Sequence, residues 1–318
     1  MTKVVFLDRA TIGPSVAIRR PDFPHDWTEY DRTQADQVAE RLADADIAIT
    51  NKAPIRAETL EALPKLKMIS VAATGYDVID VPACTKRGII VSNVRGYAVN
   101  TVPEHTFALI FALQRNIVGY RQDVIDGEWQ KAGQFCFFNH SIRDLYGTRL
   151  GIVGSGVIGQ AVGQIGRALG MDVIFAAHKG QPTFGSLYTS WNTVLETSDI
   201  ITLHTPLKPD TRNLISTAEF AQMKRRPIII NTSRGGLVDE AALVGALDRG
   251  EVRGAGFDVL TREPPVADNP LLTILNRPNV IVTPHVAWAS EEAMQVVWEQ
   301  TVWHVEQFHA GTPKNVLN

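Results

Sequence analysis

Leu150-Gly151-Ile152-Val153-Gly154-Ser155-Gly156-Val157-Ile158-Gly159 is the stretch that decides the fold. A short apolar run reads as a strand, a glycine-rich turn follows, and the pattern after it predicts a helix over 160–169. Strand, GxGxxG and helix in that order form the context in which this spacing binds a dinucleotide. Gly154 permits the tight turn, Gly156 lets the backbone approach a pyrophosphate, and Gly159 lets helix and strand pack closely. The helix N-terminus adds N–H groups without helical partners and a partial positive charge. A bare GxGxxG is weak evidence, because ordinary strand-to-helix turns are also glycine-rich. Its flanks make NAD or NADP the expected ligand.

Outward from this turn, short apolar runs at 4–7, 47–50, 68–72, 89–92, 173–177, 200–204, 228–232, 254–259 and 280–283 alternate with helical stretches. Continuous apolar strands separated by helices predict parallel sheets covered on both faces. The glycine turn sits mid-chain, so another α/β unit must precede it. The fold class expected is α/β, with two Rossmann-like parallel-sheet domains. A nucleotide-binding domain over 100–287 is inserted into a discontinuous, flavodoxin-like substrate domain made of 1–99 plus 288–318. A long helix opens the inserted part: Pro103 suits a first turn and Glu104 the positive end of the dipole. Residues 107–113 leave no polar face, which predicts burial on all sides. The last helical stretch, 291–308, is long enough to return to the first domain.

Composition narrows the function. The chain has 318 residues, 45% of them hydrophobic and 20% charged, with a net charge of −3, which is that of an ordinary globular protein. The balance excludes a nucleic-acid surface or a polybasic membrane anchor as partner. No apolar run approaches the length of a membrane span, and the N-terminus reads as a first strand rather than a signal peptide. Cys84 and Cys136 are too few for a disulfide framework and wrongly spaced for a metal site, so none is expected. A reducing cytoplasm is the expected location.

In open parallel sheets ligands bind at the carboxyl ends of strands. Three strand ends carry complementary groups: Asn231-Thr232-Ser233-Arg234-Gly235, Asp258-Val259 followed by Glu263-Pro264-Pro265, and Thr283-Pro284-His285. Arg234 suits bidentate binding of a carboxylate and polarises an adjacent carbonyl. His285 suits general acid and base work, with Glu263 accepting its other ring N–H. Singly, each has a plain alternative: a surface arginine, a solvated turn, a capped strand. Together, in one half of the chain, they point to an oxidoreductase site.

These motifs, with the glycine turn, resemble the D-isomer-specific 2-hydroxyacid dehydrogenases, in order and over nearly the whole chain. Asn93-Val94-Arg95-Gly96-Tyr97, Val102-Pro103-Glu104-His105 and 201–206 resemble the hydroxypyruvate reductase (glycerate dehydrogenase) branch. The resemblance implies Arg234, Glu263 and His285 as the catalytic set. It implies a homodimer built through the nucleotide-binding domains, with the long helix near the interface. Around the cofactor it implies Gly154, Gly156, Val157, Ile158 and Gly159 at the pyrophosphate, and Thr205, Pro206 and Thr211 on the adenosine side. Thr232 and Ser233 border the nicotinamide, and Asp258 accepts from its carboxamide. Val102 and Thr106 press on the nicotinamide side, with plain core packing as the competing reading. Ala73, Thr74 and Gly75, after the strand at 68–72, are implied to bind the substrate carboxylate together with Arg234. A simple strand-to-helix turn is the alternative for them.

One departure concerns the cofactor. An acidic residue about 20 positions past the glycine turn holds the ribose 2′-hydroxyl in NAD-specific sites. Here the strand tip reads Ala177-His178-Lys179, without a carboxylate and with two potential cations. NADP or dual use is expected. The leading expectation is an NAD(P)-dependent D-2-hydroxyacid dehydrogenase reducing small 2-oxo acids such as hydroxypyruvate and glyoxylate. The alternatives are a phosphite dehydrogenase of the same superfamily and a dinucleotide-sensing, corepressor-like binding protein.

Overall fold

Runs of Val and Ile become strands buried on both faces because helices cover each side of a parallel sheet. The computed structural model of the chain describes residues 1–183 and 185–318. Two units divide it: Met1–Ala98 with Ala289–Asn318, and Val99–Trp288.

The first unit holds β1 (Thr2–Phe6), β2 (His25–Glu29), β3 (Ile47–Thr50), β4 (Met68–Val71) and β5 (Ile90–Asn93), with α1 (Val38–Leu42), α2 (Ala57–Glu61) and α3 (Val81–Lys86). Its sheet runs β2-β1-β3-β4-β5, every pairing parallel. The C-terminal helix, Glu291–His309, belongs to this unit and is capped by the Ser290 side chain on the Ala293 N–H. Trp298 of that helix stacks on Phe6 with ring centroids 5.0 Å apart, and Thr301 offers its carbonyl to the Ser70 hydroxyl. Strand β2, His-Asp-Trp-Thr-Glu, is the strand of this sheet that apolar patterning misses. It is an edge strand whose polar residues blunt an otherwise open ladder.

The second unit holds α4 (Thr101–Gln114), α5 (Ile117–Ile125), α6 (Glu128–Ala132), β6 (Arg149–Val153), α7 (Val157–Ala168), β7 (Asp172–Ala176), β8 (Tyr188–Thr189), α8 (Trp191–Thr197), β9 (Ile200–Leu203), α9 (Thr217–Phe220), β10 (Ile228–Asn231), α10 (Glu240–Asp248), β11 (Gly254–Phe257) and β12 (Val280–Val282). Its seven strands run β12-β11-β10-β9-β6-β7-β8, all parallel. The chain leaves β6 toward β7 and later returns to β9 on the other side. The switch point therefore lies at the carboxyl ends of β6 and β9, where such sheets bind ligands.

Three sequence expectations change. Helix α7 starts at Val157 rather than 160, directly after Gly156, so its unpaired N–H groups belong to the glycine turn itself. Strands β9, β10 and β11 stop one or two residues early, leaving Thr232 and Asp258 beyond the ladder. Helix α4 is not buried on all sides. Ala108 and Phe111 are exposed, Phe111 to 40%, whereas Leu109 and Leu113 press onto Gly256 of β11, where a Cβ would come within 3.2 Å of each. Residues 107–113 are apolar all round the helix, but the sheet reaches only one side of it. Among the described residues, no helix is long and apolar enough to cross a membrane.

Candidate active site

The glycine turn has the geometry its three glycines require. Gly154 has φ +108°, and a Cβ there would lie 2.3 Å from the His204 carbonyl oxygen. A Cβ on Gly159 would lie 2.0 Å from the Gly154 carbonyl oxygen, so helix and turn touch backbone to backbone. Gly156 differs: its φ is −67°, and a Cβ would meet nothing within 4 Å. Two glycines serve the turn, and the middle one faces open space before the N-terminus of α7. That opening and the helix dipole fit a pyrophosphate. Val157, 69% exposed, stands at the same helix start, beside the partly buried Ile158.

Around this turn, Thr205 and Pro206 follow β9, and the Thr205 carbonyl accepts the Ser233 hydroxyl at 2.7 Å. That bond ties the end of β9 to the end of β10. Thr211 closes its own turn, accepting the Lys208 N–H at 2.7 Å and donating to the Pro206 carbonyl at 2.8 Å. At the tip of β7, Ala177 donates to the Thr189 carbonyl and no carboxylate stands there. His178 is exposed, whereas Lys179 is drawn aside: its Nζ lies 2.8 Å from Oε1 of the buried Glu219 and donates to the Leu214 carbonyl. Glu219 also caps α9 through the Ser216 N–H, so this carboxylate has a folding role of its own.

The strand ends of β10, β11 and β12 build the reactive part. His285 Nδ1 lies 2.6 Å from Glu263 Oε2. Glu263 Oε1 accepts the Leu260 N–H at 3.0 Å, which fixes the carboxylate plane. With Nδ1 turned to Glu263, Nε2 is the ring nitrogen left for proton exchange. The His285 backbone takes a left-handed conformation, φ +55°, and its N–H donates to the Asp258 carbonyl at 2.8 Å. A non-glycine residue held there marks a side chain aimed by its surroundings. Asp258, buried, holds the same segment: Oδ1 accepts from the Thr283 hydroxyl and the Val286 N–H, and Oδ2 from the Ala287 N–H. An ionised carboxylate offers about four acceptor sites, so one on Oδ2 is left over. His105 of α4 approaches from the other side, its Nε2 3.0 Å from the Thr283 hydroxyl.

Arg234 follows β10 half-buried, its carbonyl held by the Asn231 side chain and its Nη1 donating to the Ser233 carbonyl at 2.8 Å. A Cβ on Gly235 would sit 1.8 Å from the Leu260 oxygen. Glycine there lets the Arg234 turn lie against the 260–263 segment that carries Glu263. Thr232 and Thr106 share a 2.9 Å hydroxyl contact. Because Thr106 donates its proton to the Val102 carbonyl at 2.8 Å, Thr232 is the donor of the pair. Thr106 has no accessible surface and Val102 is buried, so both are packed into the core where α4 meets the end of β10.

Sequence reading missed Glu240. Its Oε1 accepts from the Thr261 N–H and hydroxyl and its Oε2 from Asn269, anchoring both ends of the loop that carries Glu263. A glutamate opening a helix resembles a dipole-stabilising residue, so nothing in the pattern singled it out. In the first unit, Ala73, Thr74 and Gly75 form the loop after β4, with the Ala73 and Thr74 carbonyls turned to residues 94 and 93.

Sheet order, the open glycine turn and the imidazole–carboxylate pair together define a nucleotide-dependent α/β oxidoreductase. Residues 107–287 match the family model described as D-isomer specific 2-hydroxyacid dehydrogenase, NAD binding domain. The chain is 51% identical over 316 residues to the glycerate dehydrogenase of Methylorubrum extorquens, covering 99% of this chain and 98% of that protein. It is 38% identical to the hydroxypyruvate reductase of Blautia hydrogenotrophica, covering 91% of each. Its fold is similar to that of the Aquifex aeolicus D-lactate dehydrogenase solved with NAD and lactic acid, with a TM-score of 0.80, 28% identity, and coverage of 97% of this chain and 96% of that one. The chain belongs to the D-isomer specific 2-hydroxyacid dehydrogenase family and is a dehydrogenase that works with a nicotinamide dinucleotide.

Proposed function

We propose that this dehydrogenase interconverts small 2-oxo and D-2-hydroxy acids, hydroxypyruvate and glyoxylate foremost, with His285 as acid and base. The observation that carries the reading is the 2.6 Å contact between His285 Nδ1 and Glu263. Glu263 sets the tautomer and stabilises the ring when it is protonated, so Nε2 can give a proton to the substrate oxygen and take it back in reverse. Arg234 binds the substrate carboxylate and polarises the neighbouring carbonyl. In the first unit, the loop of Ala73, Thr74 and Gly75 would offer backbone N–H groups to a substrate carboxylate. The nicotinamide dinucleotide, when bound, supplies or accepts the hydride at substrate C2. Gly154, Gly156, Val157, Ile158 and Gly159 would hold its pyrophosphate. Thr205, Pro206, Thr211, Ala177, His178 and Lys179 would border its adenosine half, and Val102, Thr106, Thr232, Ser233 and Asp258 its nicotinamide half. The glycerate dehydrogenase and hydroxypyruvate reductase names of the relatives support the substrate class.

Both cofactors fit this reading, with NADPH at least as good as NADH. No carboxylate at Ala177 repels a 2′-phosphate, although Lys179 is engaged by Glu219. Dimerisation through the second unit fits the exposed apolar side chains of one continuous segment: Phe111, Ile117, Ile125, Trp129, Phe135 and Phe138. Sedimentation velocity reads that assembly. Two cysteines without a disulfide fit a reducing cytoplasm.

A panel of 2-oxo acids assayed with NADH and NADPH tests the substrate class, and His285→Ala tests the chemistry. The variant should lose about 10²–10⁴-fold in kcat while NADH affinity stays near the parent's. Retention of most activity would remove His285 from proton transfer.

A further inference from the structure

We infer that Asn93 is a positioning residue for substrate binding, setting the orientation of the two peptide groups that receive the substrate carboxylate in the 73–75 loop. The inference rests on the reading of that loop given above.

Asn93 ends β5 and is 4% exposed. Its backbone is held from both sides. It pairs with Val71 of β4, and its N–H donates at 3.3 Å to the carbonyl of Asn315 in the C-terminal tail, which runs antiparallel along β5. Its side-chain amide is then fixed at both ends. Nδ2 donates to the Thr74 carbonyl at 2.7 Å, and Oδ1 accepts from Arg95 Nε at 3.1 Å. A carbonyl on one side and a guanidinium on the other leave one orientation for the amide, because only that one matches donor to acceptor twice. Two further bonds join the same segments. The Val94 N–H donates to the Ala73 carbonyl at 3.1 Å, and the Thr74 hydroxyl donates to the Val94 carbonyl at 2.8 Å.

The consequence follows from peptide geometry. The carbonyls of Ala73 and Thr74 both point toward residues 93 and 94. In a trans peptide the N–H points opposite to the C=O. The N–H groups of Thr74 and Gly75 are therefore turned away from Asn93, side by side. Two successive N–H groups so arranged form an anion-binding concavity. Val94 fixes the first peptide through the backbone, which any residue does. Asn93 fixes the second, the one bearing the Gly75 N–H, and that needs a short buried side chain carrying a donor. Leucine fills the volume without donating. Aspartate keeps the shape and the Arg95 contact but has no proton to give in its ionised form.

The experiment uses the full chain with NADH bound. Hydrogen–deuterium exchange of the 73–77 segment is followed with and without D-glycerate, and hydroxypyruvate kinetics are measured for the parent, Asn93→Leu and Asn93→Asp. In the parent, D-glycerate should slow exchange in this segment. In both variants that protection should disappear and KM should rise about tenfold, while kcat at saturation and the NADH Kd stay within about twofold. A merely structural role would move kcat, Kd and Tm together instead. No protection in the parent would remove the loop from carboxylate binding and take the inference with it. Protection in the parent that survives unchanged in both variants, with KM unaltered, would leave the loop reading intact and overturn the role of Asn93. Failure of both variants to fold would place Asn93 in the core and overturn it as well.

Discussion

Each of the two sheets has a topological switch point, and the chain treats them in opposite ways. In the first unit the switch lies between β1 and β3, and the protein's own carboxylate fills it. Asp8, 4% exposed, follows β1 and accepts the N–H groups of Asn51, Lys52 and Ala53 at 2.6 to 3.0 Å and the Thr50 hydroxyl at 3.1 Å. In the second unit the switch lies between β6 and β9, and glycine keeps it open: among the described residues, a Cβ on Gly156 would meet nothing within 4 Å. The same fold thus offers an anion site twice. One is filled by the chain's own carboxylate and serves stability; the other is open, where the proposed dinucleotide would have to arrive. A switch point alone is no evidence of a ligand until the residues that line it are read.

That comparison can be broken by exchanging the two behaviours. Asp8→Ala should strip the first unit of an acceptor shared by three backbone N–H groups, costing at least about 3 kcal/mol in chemical denaturation. The NADH Kd of the folded fraction should not change. A variant as stable as the parent would mean that water replaces the carboxylate and the switch is not sealed.

Acid should weaken both units alike. Burial pushes His304 of the first unit down to about 4, with Arg95 adding to the effect, and burial pushes His204 of the second down to about 3. Both rings stay neutral in the fold while the unfolded chain protonates near 6.5. Their contribution to stability is complete above that pH and is lost as pH falls toward the folded values, at about 1.4 kcal/mol per unit for each ring. Denaturation midpoints at pH 7 and 5 for the parent and His304→Gln check this. The variant should lose less on acidification, and an equal loss would exclude His304 as a source.

Gly156→Ala is the mirror of the Asp8 change. Its φ is ordinary for alanine and its Cβ meets nothing, so Tm should hold or rise slightly. The methyl group would occupy the approach of the pyrophosphate, and the NADH Kd should rise about tenfold. Unchanged affinity would show that the opening is not where the dinucleotide lies.

The smallest effect sharpens cofactor choice at the open switch. Ala177→Asp should shift kcat/KM toward NADH by restoring an acceptor for the ribose hydroxyls. Glu219→Gln should shift it toward NADPH by releasing the Lys179 ammonium, by no more than about 1 kcal/mol because the lysine end of the pair is 41% exposed. No movement with Glu219→Gln would place Lys179 outside the cofactor's reach.

Local chemistry made much of this protein legible in its sequence. Three glycines at fixed spacing between a strand and a helix have few other uses, because positive φ and backbone-to-backbone contact exclude side chains, as at Gly154 and Gly159. Short valine and isoleucine runs declared buried parallel strands, and Arg234, Glu263 and His285 stood at the ends of three of them. Tertiary structure decided what depends on residues distant in the chain. Polar β2 became a strand because β1 offered it an edge. Phe111 stayed exposed because the sheet meets only one side of α4. Lys179 turned to Glu219, 40 positions away, and Asp8 found its donors after β3. Asn93 met Thr74 because β4 and β5 lie side by side. Hydrogen-bond partners and solvent exposure are properties of neighbours in space, and for these residues the neighbours exist only once the sheets have formed.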